Sequence, residues 1–145
     1  MALKVCMWVH GNIVQVEKKA DKILRIGWGT KVNQQFSVNW FHIPIATPVI
    51  LDDIRPLLIK AFVLYKAGGG TKVTNIHVYD GKTKVKAIDG LSLSGDHSGA
   101  IDASNSWVID PPITIKYGLG ISIGVSFGDE GEILFTAAGA DFKKP

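Results

Sequence analysis

An alternation of apolar and polar positions runs from Ile113 to Phe127. Every odd position is apolar, and the even positions after Lys116 carry only Gly and Ser. Because side chains of a strand point alternately to its two faces, this pattern predicts a β-strand with one face in a core. We expect the other face, which lacks large side chains, to be either bare or closely covered. Its small residues are Gly118, Gly120, Ser122, Gly124 and Ser126.

Shorter strand-like segments recur along the rest of the chain. Leu3–His10 alternates, and Gly11-Asn12 after it predicts a tight turn into Ile13–Val16. Asp80-Gly81 predicts a second hairpin turn. Many short strands with Gly, Pro, Asn and Asp turns, and no convincing pair of helices, predict an all-β fold. The expected architecture is an antiparallel β-sandwich of jelly-roll type.

Residues 53–67 fit two different secondary structures. Asp53 is a candidate helix N-cap, Gly68 is a candidate C-cap, and the apolar positions between them fit helical spacing. The same positions also describe a strand that is apolar on both faces. Phe62, Val63 and Tyr65 favour the strand, as does the all-β neighbourhood. We therefore expect a strand here, with the helix as the alternative.

Composition places the chain among globular proteins. It has 145 residues, 46% of them hydrophobic and 20% charged, which predicts one domain over residues 1–145. The net charge of +3 is spread over loose lysine groups without interleaved aromatics, so nucleic-acid binding is not expected. No signal peptide or membrane-spanning segment is evident, so a cytoplasmic protein is the default and export without a cleaved signal the alternative. Cys6 is the only cysteine, and we expect a buried structural thiol.

Side chains with functional chemistry are densest between Ser94 and Trp107. Carboxylate and amide oxygens here could bind Ca²⁺, with Asp96, Asp102 and Asn105 as the candidate ligands. The same side chains, with His97 beside them and Trp107 as an aromatic plate, would also suit a sugar. The alternative is structural, since Asp, Ser and Asn often fill long loops by capping their own backbone.

Trp28 is a second candidate for ligand binding. It lies between Gly27 and Gly29, on backbone that leaves room for an exposed side chain. An exposed Trp is a frequent anchor for a sugar or a protein partner. The alternative is a loop Trp folded over the end of the sandwich. By contrast, Trp8 and Trp40 lie in predicted strands and are expected in the core.

A catalytic site would have to be assembled across strands, because no local motif provides one. No pair of histidines has His-x-x-x-His spacing, and no Gly-x-Ser-x-Gly elbow is present. His42, His77 and Asp80 are the residues that neighbouring strands could bring together. For each histidine, the alternative is a hydrogen-bonded structural role.

Four strings of sequence together resemble a family of small, uncharacterised bacterial β-sandwich proteins. The strings are Trp40-Phe41-His42-Ile43-Pro44, Val78-Tyr79-Asp80-Gly81, Leu93-Ser94-Gly95-Asp96-His97-Ser98 and Ile133–Phe142. The similarity extends over residues 27–142. It implies a β-sandwich and carries no activity over to this chain.

Three functional hypotheses follow from these patterns. The leading one is a non-catalytic module that forms a homo-oligomer, or binds a protein partner, through the Gly/Ser face of residues 118–126. The second is a carbohydrate-binding, lectin-like module, with or without Ca²⁺, that uses the loop residues 96–107 and Trp28. The third is a small enzyme with a His and carboxylate site, for which the sequence gives the least support.

Overall fold

Residues 4–145 are described by a computed structural model, which contains two antiparallel sheets. Its strands are β1 (Lys4–His10), β2 (Gln15–Val16), β3 (Lys22–Ile26), β4 (Gly29–Asn33), β5 (Val38–Ile45), β6 (Leu57–Gly68), β7 (Lys72–Asp80), β8 (Thr83–Ile88), β9 (Gly95–His97), β10 (Ser106–Thr114), β11 (Leu119–Ser126) and β12 (Glu132–Lys143). A seven-stranded sheet has the order β10-β6-β12-β4-β3, with β1 paired to β12 and β9 to β6. A five-stranded sheet has the order β2-β5-β11-β7-β8.

The hydrophobic core lies between the two sheets. Two of its large members, Phe41 on β5 and Phe135 on β12, meet across the interface with ring centroids 5.0 Å apart. Both are fully buried, as is Tyr65 on β6. The structure therefore confirms the predicted antiparallel β-sandwich of jelly-roll type. No helix among residues 4–145 is long and apolar enough to cross a membrane.

The ambiguous segment forms a strand over Leu57–Gly68, as expected. It reads as apolar on both faces because both faces are covered. Ala61, Val63 and Tyr65 belong to the core, whereas Phe62 lies under the ring of Trp8. These two rings stack with centroids 5.0 Å apart and 4° between their planes. The expectation of Trp8 in the core is wrong: it lies on the outer face and is 43% exposed.

The alternating segment 113–127 is not one strand. It contains the end of β10, in one sheet, and all of β11, in the other. Between them the chain turns, so that Tyr117 is 80% exposed although the alternation assigned it to the core. The buried carboxylate of Asp80 holds this turn: Oδ2 accepts from Lys116 N at 2.9 Å, and Oδ1 from Tyr117 N at 2.9 Å and Gly118 N at 3.2 Å.

The two predicted hairpin turns have different outcomes. At Asp80-Gly81 the hairpin between β7 and β8 is confirmed, with Gly81 at a φ of +57°. At Gly11-Asn12 it is wrong, because β1 pairs with β12 in one sheet and β2 with β5 in the other. The chain thus crosses between sheets there, through a short 3-10 turn.

The expectation of a buried thiol is also wrong, because the Cys6 side chain is exposed. On β1, Met7 and Val9 pack against the core, so their neighbours in the alternation point outward. Cys6 lies opposite Asp141 on β12. A hydrogen bond with Asp141, followed by partial desolvation, raises the pKa of the Cys6 thiol.

We predict that Asp80→Asn destabilises the fold by about 1–3 kcal/mol, because an amide nitrogen would replace one of the two acceptor oxygens in a buried site. Burial by itself raises the pKa of Asp80, but the three backbone N–H donors outweigh it and lower the pKa. A carboxylate with a depressed native pKa stabilises the fold above its unfolded-state pKa, and this contribution disappears as the pH falls through the native value.

Urea unfolding of the wild type, Asp80→Asn and the exposed control Asp21→Asn checks this prediction. We expect the free energy of unfolding of Asp80→Asn to be lower than that of the wild type at neutral pH, and this difference to become smaller in acid. The control should have the same free energy of unfolding as the wild type. Equal stabilities at neutral pH would contradict the role given to Asp80.

Candidate functional site

A groove crosses the outer face of the five-stranded sheet, on the side of β11 that carries small residues. It encloses about 470 Å³. Its residues come from β5, β11, β7 and β8 and from the segment after β2. They are Glu17, Trp40, His42, His77, Tyr79, Lys84 and Ser122. The small side chains of β11 thus form the floor, and larger side chains of the flanking strands form the walls.

Strand pairing explains which side chains face the groove. Core residues Ile121 and Ile123 point inward, so Gly120, Ser122 and Gly124 face outward. Ser122 is the Cα partner of His42 on β5 and of His77 on β7. The two histidines therefore flank Ser122 in one row across the sheet.

Neighbouring side chains close the groove at Gly124. A Cβ atom at this position would lie 2.8 Å from the Asn75 Oδ1 atom, so a larger residue would displace Asn75. The Trp40 side chain reaches across β11, and its ring centroid lies 4.8 Å from that of His77. The small residue at position 124 is thus covered by side chains of this same chain.

The groove is open in the other direction along β11. A Cβ atom at Gly120 would meet no heavy atom within 4 Å. A shallower depression of about 360 Å³ continues from Ser122 past Gly120 and is bordered by Pro44 and Tyr79. Gly120 pairs with both of these residues across the sheet. The site is therefore an asymmetric groove, closed by Asn75 and Trp40 and open beside Tyr79.

Glu17 and Ser122 bind opposite sides of the His42 ring. Glu17 Oε1 lies 2.9 Å from Nε2, and Ser122 Oγ lies 2.8 Å from Nδ1. Because a carboxylate only accepts, Nε2 carries a proton, and when the ring is neutral Nδ1 accepts from the Ser122 hydroxyl. Ser122 is 7% exposed, so this arrangement is held at the bottom of the groove.

A second carboxylate orients His77. Asp89 Oδ1 lies 2.7 Å from His77 Nε2 and also accepts from Asn75 Nδ2 at 2.6 Å. The hydrogen bond from Asn75, and then that from His77, lowers the pKa of Asp89. The groove thus holds two histidines, each tied at Nε2 to a carboxylate on the side away from β11.

The structure unites only part of the His and carboxylate site considered for an enzyme. His42 and His77 do line one groove, but Asp80 binds the backbone of the turn after β10. Glu17, His42 and Ser122 form a hydrogen-bonded chain like that of a serine hydrolase. However, β11 is paired on both sides, so its backbone N–H groups are engaged in the sheet rather than free to stabilise an oxyanion.

The polar side chains of the loop 94–107 bind the loop itself. Asn105 is fully buried, and its side chain donates to the carbonyls of His97 and Ala100, at 2.9 and 2.7 Å, and accepts from Asp102 N at 2.8 Å. Asp96 accepts from Ser98, through both its backbone N–H and its hydroxyl. These contacts match the structural alternative for the loop.

His97 and Asp102 form a hydrogen-bonded pair within this loop. Asp102 Oδ2 lies 2.7 Å from His97 Nδ1 and raises the pKa of His97, while His97 lowers that of Asp102. Beneath them, burial and then the charge of Asp102 raise the pKa of Tyr65 to about 12. The Tyr65 hydroxyl donates to the Ser104 carbonyl at 2.9 Å, so a buried side chain of β6 holds the loop beside this pair.

The remaining predicted site residues lie apart from the groove. Trp107 is on β10 in the seven-stranded sheet and packs against the core, whereas Trp28 lies in the turn between β3 and β4 and is 64% exposed. Residues 4–145 contain no group of three or more His, Cys, Asp or Glu side chains placed to hold a metal ion. The Ca²⁺ ligands proposed from the sequence, Asp96, Asp102 and Asn105, instead engage loop partners, so the geometry does not favour that site.

Sequence reasoning missed most of the groove walls. Trp40 was assigned to the core, and no role was given to Glu17, Tyr79 or Lys84. The alternation of Phe36, Val38 and Trp40 places these residues on one face of a strand but does not say whether that face is the core. It also does not say which strands lie next to β5, and the groove forms only because β5, β11 and β7 are neighbours.

We predict that Asn105→Ala destabilises the protein by about 1–3 kcal/mol, since it leaves buried backbone groups of the loop without partners. The loss should be the same with added Ca²⁺ and with EDTA, as judged by thermal unfolding. Asn12→Ala, at an exposed position, is the matched control. A melting temperature that rises with Ca²⁺ and no longer does so in Asp102→Asn would restore the loop as a metal site.

Comparison with known proteins finds distantly similar solved structures and a matching family. A solved structure of TmCBM61 in complex with beta-1,4-galactotriose is 15% identical at a TM-score of 0.47, over 94% of this chain and 88% of that one. The exo-beta-1,3-galactanase from Phanerochaete chrysosporium with galactose is 12% identical at a TM-score of 0.40, over 94% and 29% of the two chains. The enzymatically active domain of tailspike protein 4 from bacteriophage CBA120 is 15% identical at 0.46, over 94% and 19%.

All three TM-scores are below 0.5, so these similarities carry no conclusion about this chain. No protein with a curated description matches the chain. A family model does match, over residues 2–134, which is nearly the whole sequence. It agrees with the resemblance seen in the sequence, to a family without an assigned activity. The chain belongs to the family of unknown function DUF6623.

Proposed function

We propose that this chain is a carbohydrate-binding module whose ligand lies in the groove on the outer face of the five-stranded sheet. The observation that carries the proposal is the combination of two aromatic walls with a polar, hydrogen-bonding floor. A sugar ring presents apolar C–H faces and hydroxyl edges, so it needs both kinds of surface at once. The proposal keeps the carbohydrate hypothesis from the sequence and moves it from the loop 94–107 to the groove.

Trp40 and Tyr79 supply the apolar surface. Trp40 lies in the row of Gly124, and Tyr79 in the row of Gly120, on the opposite wall. These rows are four residues apart along β11, or about 14 Å at the usual rise of a strand. Both side chains are only half-buried, so part of each ring faces solvent. The Trp40 ring reaches from its row toward His77, in the row of Ser122, so an extended ligand along β11 would meet the Trp40 ring beside Ser122 and the Tyr79 ring beyond it.

Polar side chains between the two aromatic rings would orient the ligand by hydrogen bonds to its hydroxyl groups. Glu17 and Lys84 are exposed at the rim, and Ser122 lies at the bottom between two histidines. Lys84 makes no ion pair with a carboxylate within residues 4–145, so its ammonium group is free to donate to a ligand oxygen. Donors and acceptors thus alternate over a short distance, as the hydroxyl groups of a sugar require.

Self-assembly through the Gly/Ser face remains a competing prediction. Trp40, His42, His77 and Tyr79 flank that face, so a second sheet could not approach β11 without displacing or burying them. Burying the rim charges as well would cost desolvation energy. The geometry therefore suits a narrow ligand better than a flat protein surface.

Light scattering at micromolar concentration, with the wild type and Ser122→Trp, distinguishes ligand binding from self-assembly. An oligomer of the wild type that Ser122→Trp dissociates would favour self-assembly.

We predict that Trp40→Ala and Tyr79→Ala each weaken glycan binding by about tenfold or more, because each removes one stacking surface. A glycan array identifies the ligand, and calorimetry with that ligand measures the affinities. Trp28→Ala is the matched control, since Trp28 is the more exposed aromatic and lies on the other sheet.

Two outcomes of this experiment would contradict the proposal. An array without any hit would reject carbohydrate binding. Loss of binding in Trp28→Ala, with Trp40→Ala and Tyr79→Ala unchanged, would place the ligand away from the groove and return it to the sites suggested by the sequence. Thermal unfolding of each variant shows that a loss of binding is not a loss of fold.

A further inference from the structure

Ser122 and His77 lie side by side in the groove. They are Cα partners on neighbouring antiparallel strands, which places their backbones roughly 4.5–5.5 Å apart. Both side chains are mostly buried: Ser122 is 7% exposed, and the His77 side chain is 14% exposed. Groups this deep are held in one orientation, so their hydrogen-bonding roles are set before a ligand arrives.

The carboxylates behind the two histidines determine those roles. Glu17 requires a proton at His42 Nε2, so the neutral ring accepts at Nδ1, and the Ser122 hydroxyl donates its only proton there. The Oγ atom of Ser122 then has only lone pairs left to offer. Asp89 likewise requires a proton at His77 Nε2, which leaves an unprotonated Nδ1 in the neutral ring. Within residues 4–145 this Nδ1 atom makes no hydrogen bond.

We propose that this floor receives two adjacent hydroxyl groups of a neutral sugar ring, one donating to Ser122 Oγ and the other to His77 Nδ1. The inference rests on the proposed carbohydrate binding and names the hydroxyl groups of the ligand that the groove recognises. Adjacent hydroxyls suit two acceptors on neighbouring strands. A carboxylate or sulfate in the same place would set its oxygens against two lone-pair acceptors, so it is disfavoured.

The protonation of the histidines is the first test, and it needs no ligand. Long-range proton–nitrogen NMR correlations of the labelled protein at about pH 8, above the usual titration of histidine, distinguish protonated from bare ring nitrogens. We expect protons at Nε2 and bare Nδ1 atoms in both His42 and His77. A proton at Nδ1 of either ring would overturn the inference. At His77 it would turn the proposed acceptor into a donor, and at His42 it would leave the Ser122 hydroxyl free to donate to the ligand.

Ligand binding is the second test. The probes are methyl glycosides of glucose, galactose and mannose and each monodeoxyfluoro derivative, in which fluorine occupies the place of a hydroxyl but cannot donate. For the glycoside that binds, we expect fluorine at two adjacent positions to weaken binding about three- to tenfold each, and fluorine elsewhere to have little effect. Ser122→Ala should weaken the parent glycoside to the same extent. Ser126→Ala, on the same face of β11 but outside the groove, should not.

The outcomes separate this inference from the proposed function. If no glycoside or array glycan binds the wild type, both are rejected. If a glycoside binds in the groove, as shown by its loss in Trp40→Ala, but Ser122→Ala and all fluorinated probes bind like their parents, only the inference is overturned. Tighter binding of a uronic acid or sulfated glycan that depends on Ser122 would also overturn it.

Discussion

The register of β11 between β5 and β7 is the constraint on which the groove depends. A shift by one residue would turn Ser122 into the core and bring Ile121 or Ile123 to the surface, so burial of the odd positions strongly favours the observed pairing. Asp80 anchors one end of this register, because it ends β7, is the Cα partner of Leu119 and holds the preceding turn by its backbone. A buried carboxylate that does not itself line the groove thereby helps to position it.

Two polar clusters of this chain differ in what their side chains bind. In the loop 94–107, the side chains of Asn105 and Asp102 form hydrogen bonds with backbone groups of the loop, which stabilises a long irregular segment. In the groove, Glu17 and Asp89 each hold a histidine at Nε2, and His77 Nδ1 makes no hydrogen bond within residues 4–145. A density of functional residue types therefore did not identify the better candidate site. We favour the groove because half-buried aromatic rings lie there beside a polar atom, His77 Nδ1, that makes no hydrogen bond within residues 4–145.

The sequence predicted the fold more fully than the site because apolar periodicity reports burial directly. Alternation identified β11, and the β-branched and aromatic content of residues 57–68 identified β6. The pattern could not show that residues 115–118 turn between sheets, since a buried Ile115 and an exposed Tyr117 are both apolar. It also misplaced Trp8 and Cys6, because an outer sheet face can carry large apolar or sulfur side chains as readily as a core does.

By itself the sequence determined that this chain is an antiparallel β-sandwich and that one face of its central strand carries only small residues. Both follow from a local cause, the two-residue period of strand side chains. Tertiary structure alone decided what covers that face: Trp40 and Asn75 at Gly124, and open space at Gly120. These neighbours are tens of residues away along the chain, and strand order is set by global packing that no local pattern encodes. The small-residue face is thus the floor of a groove built by other strands.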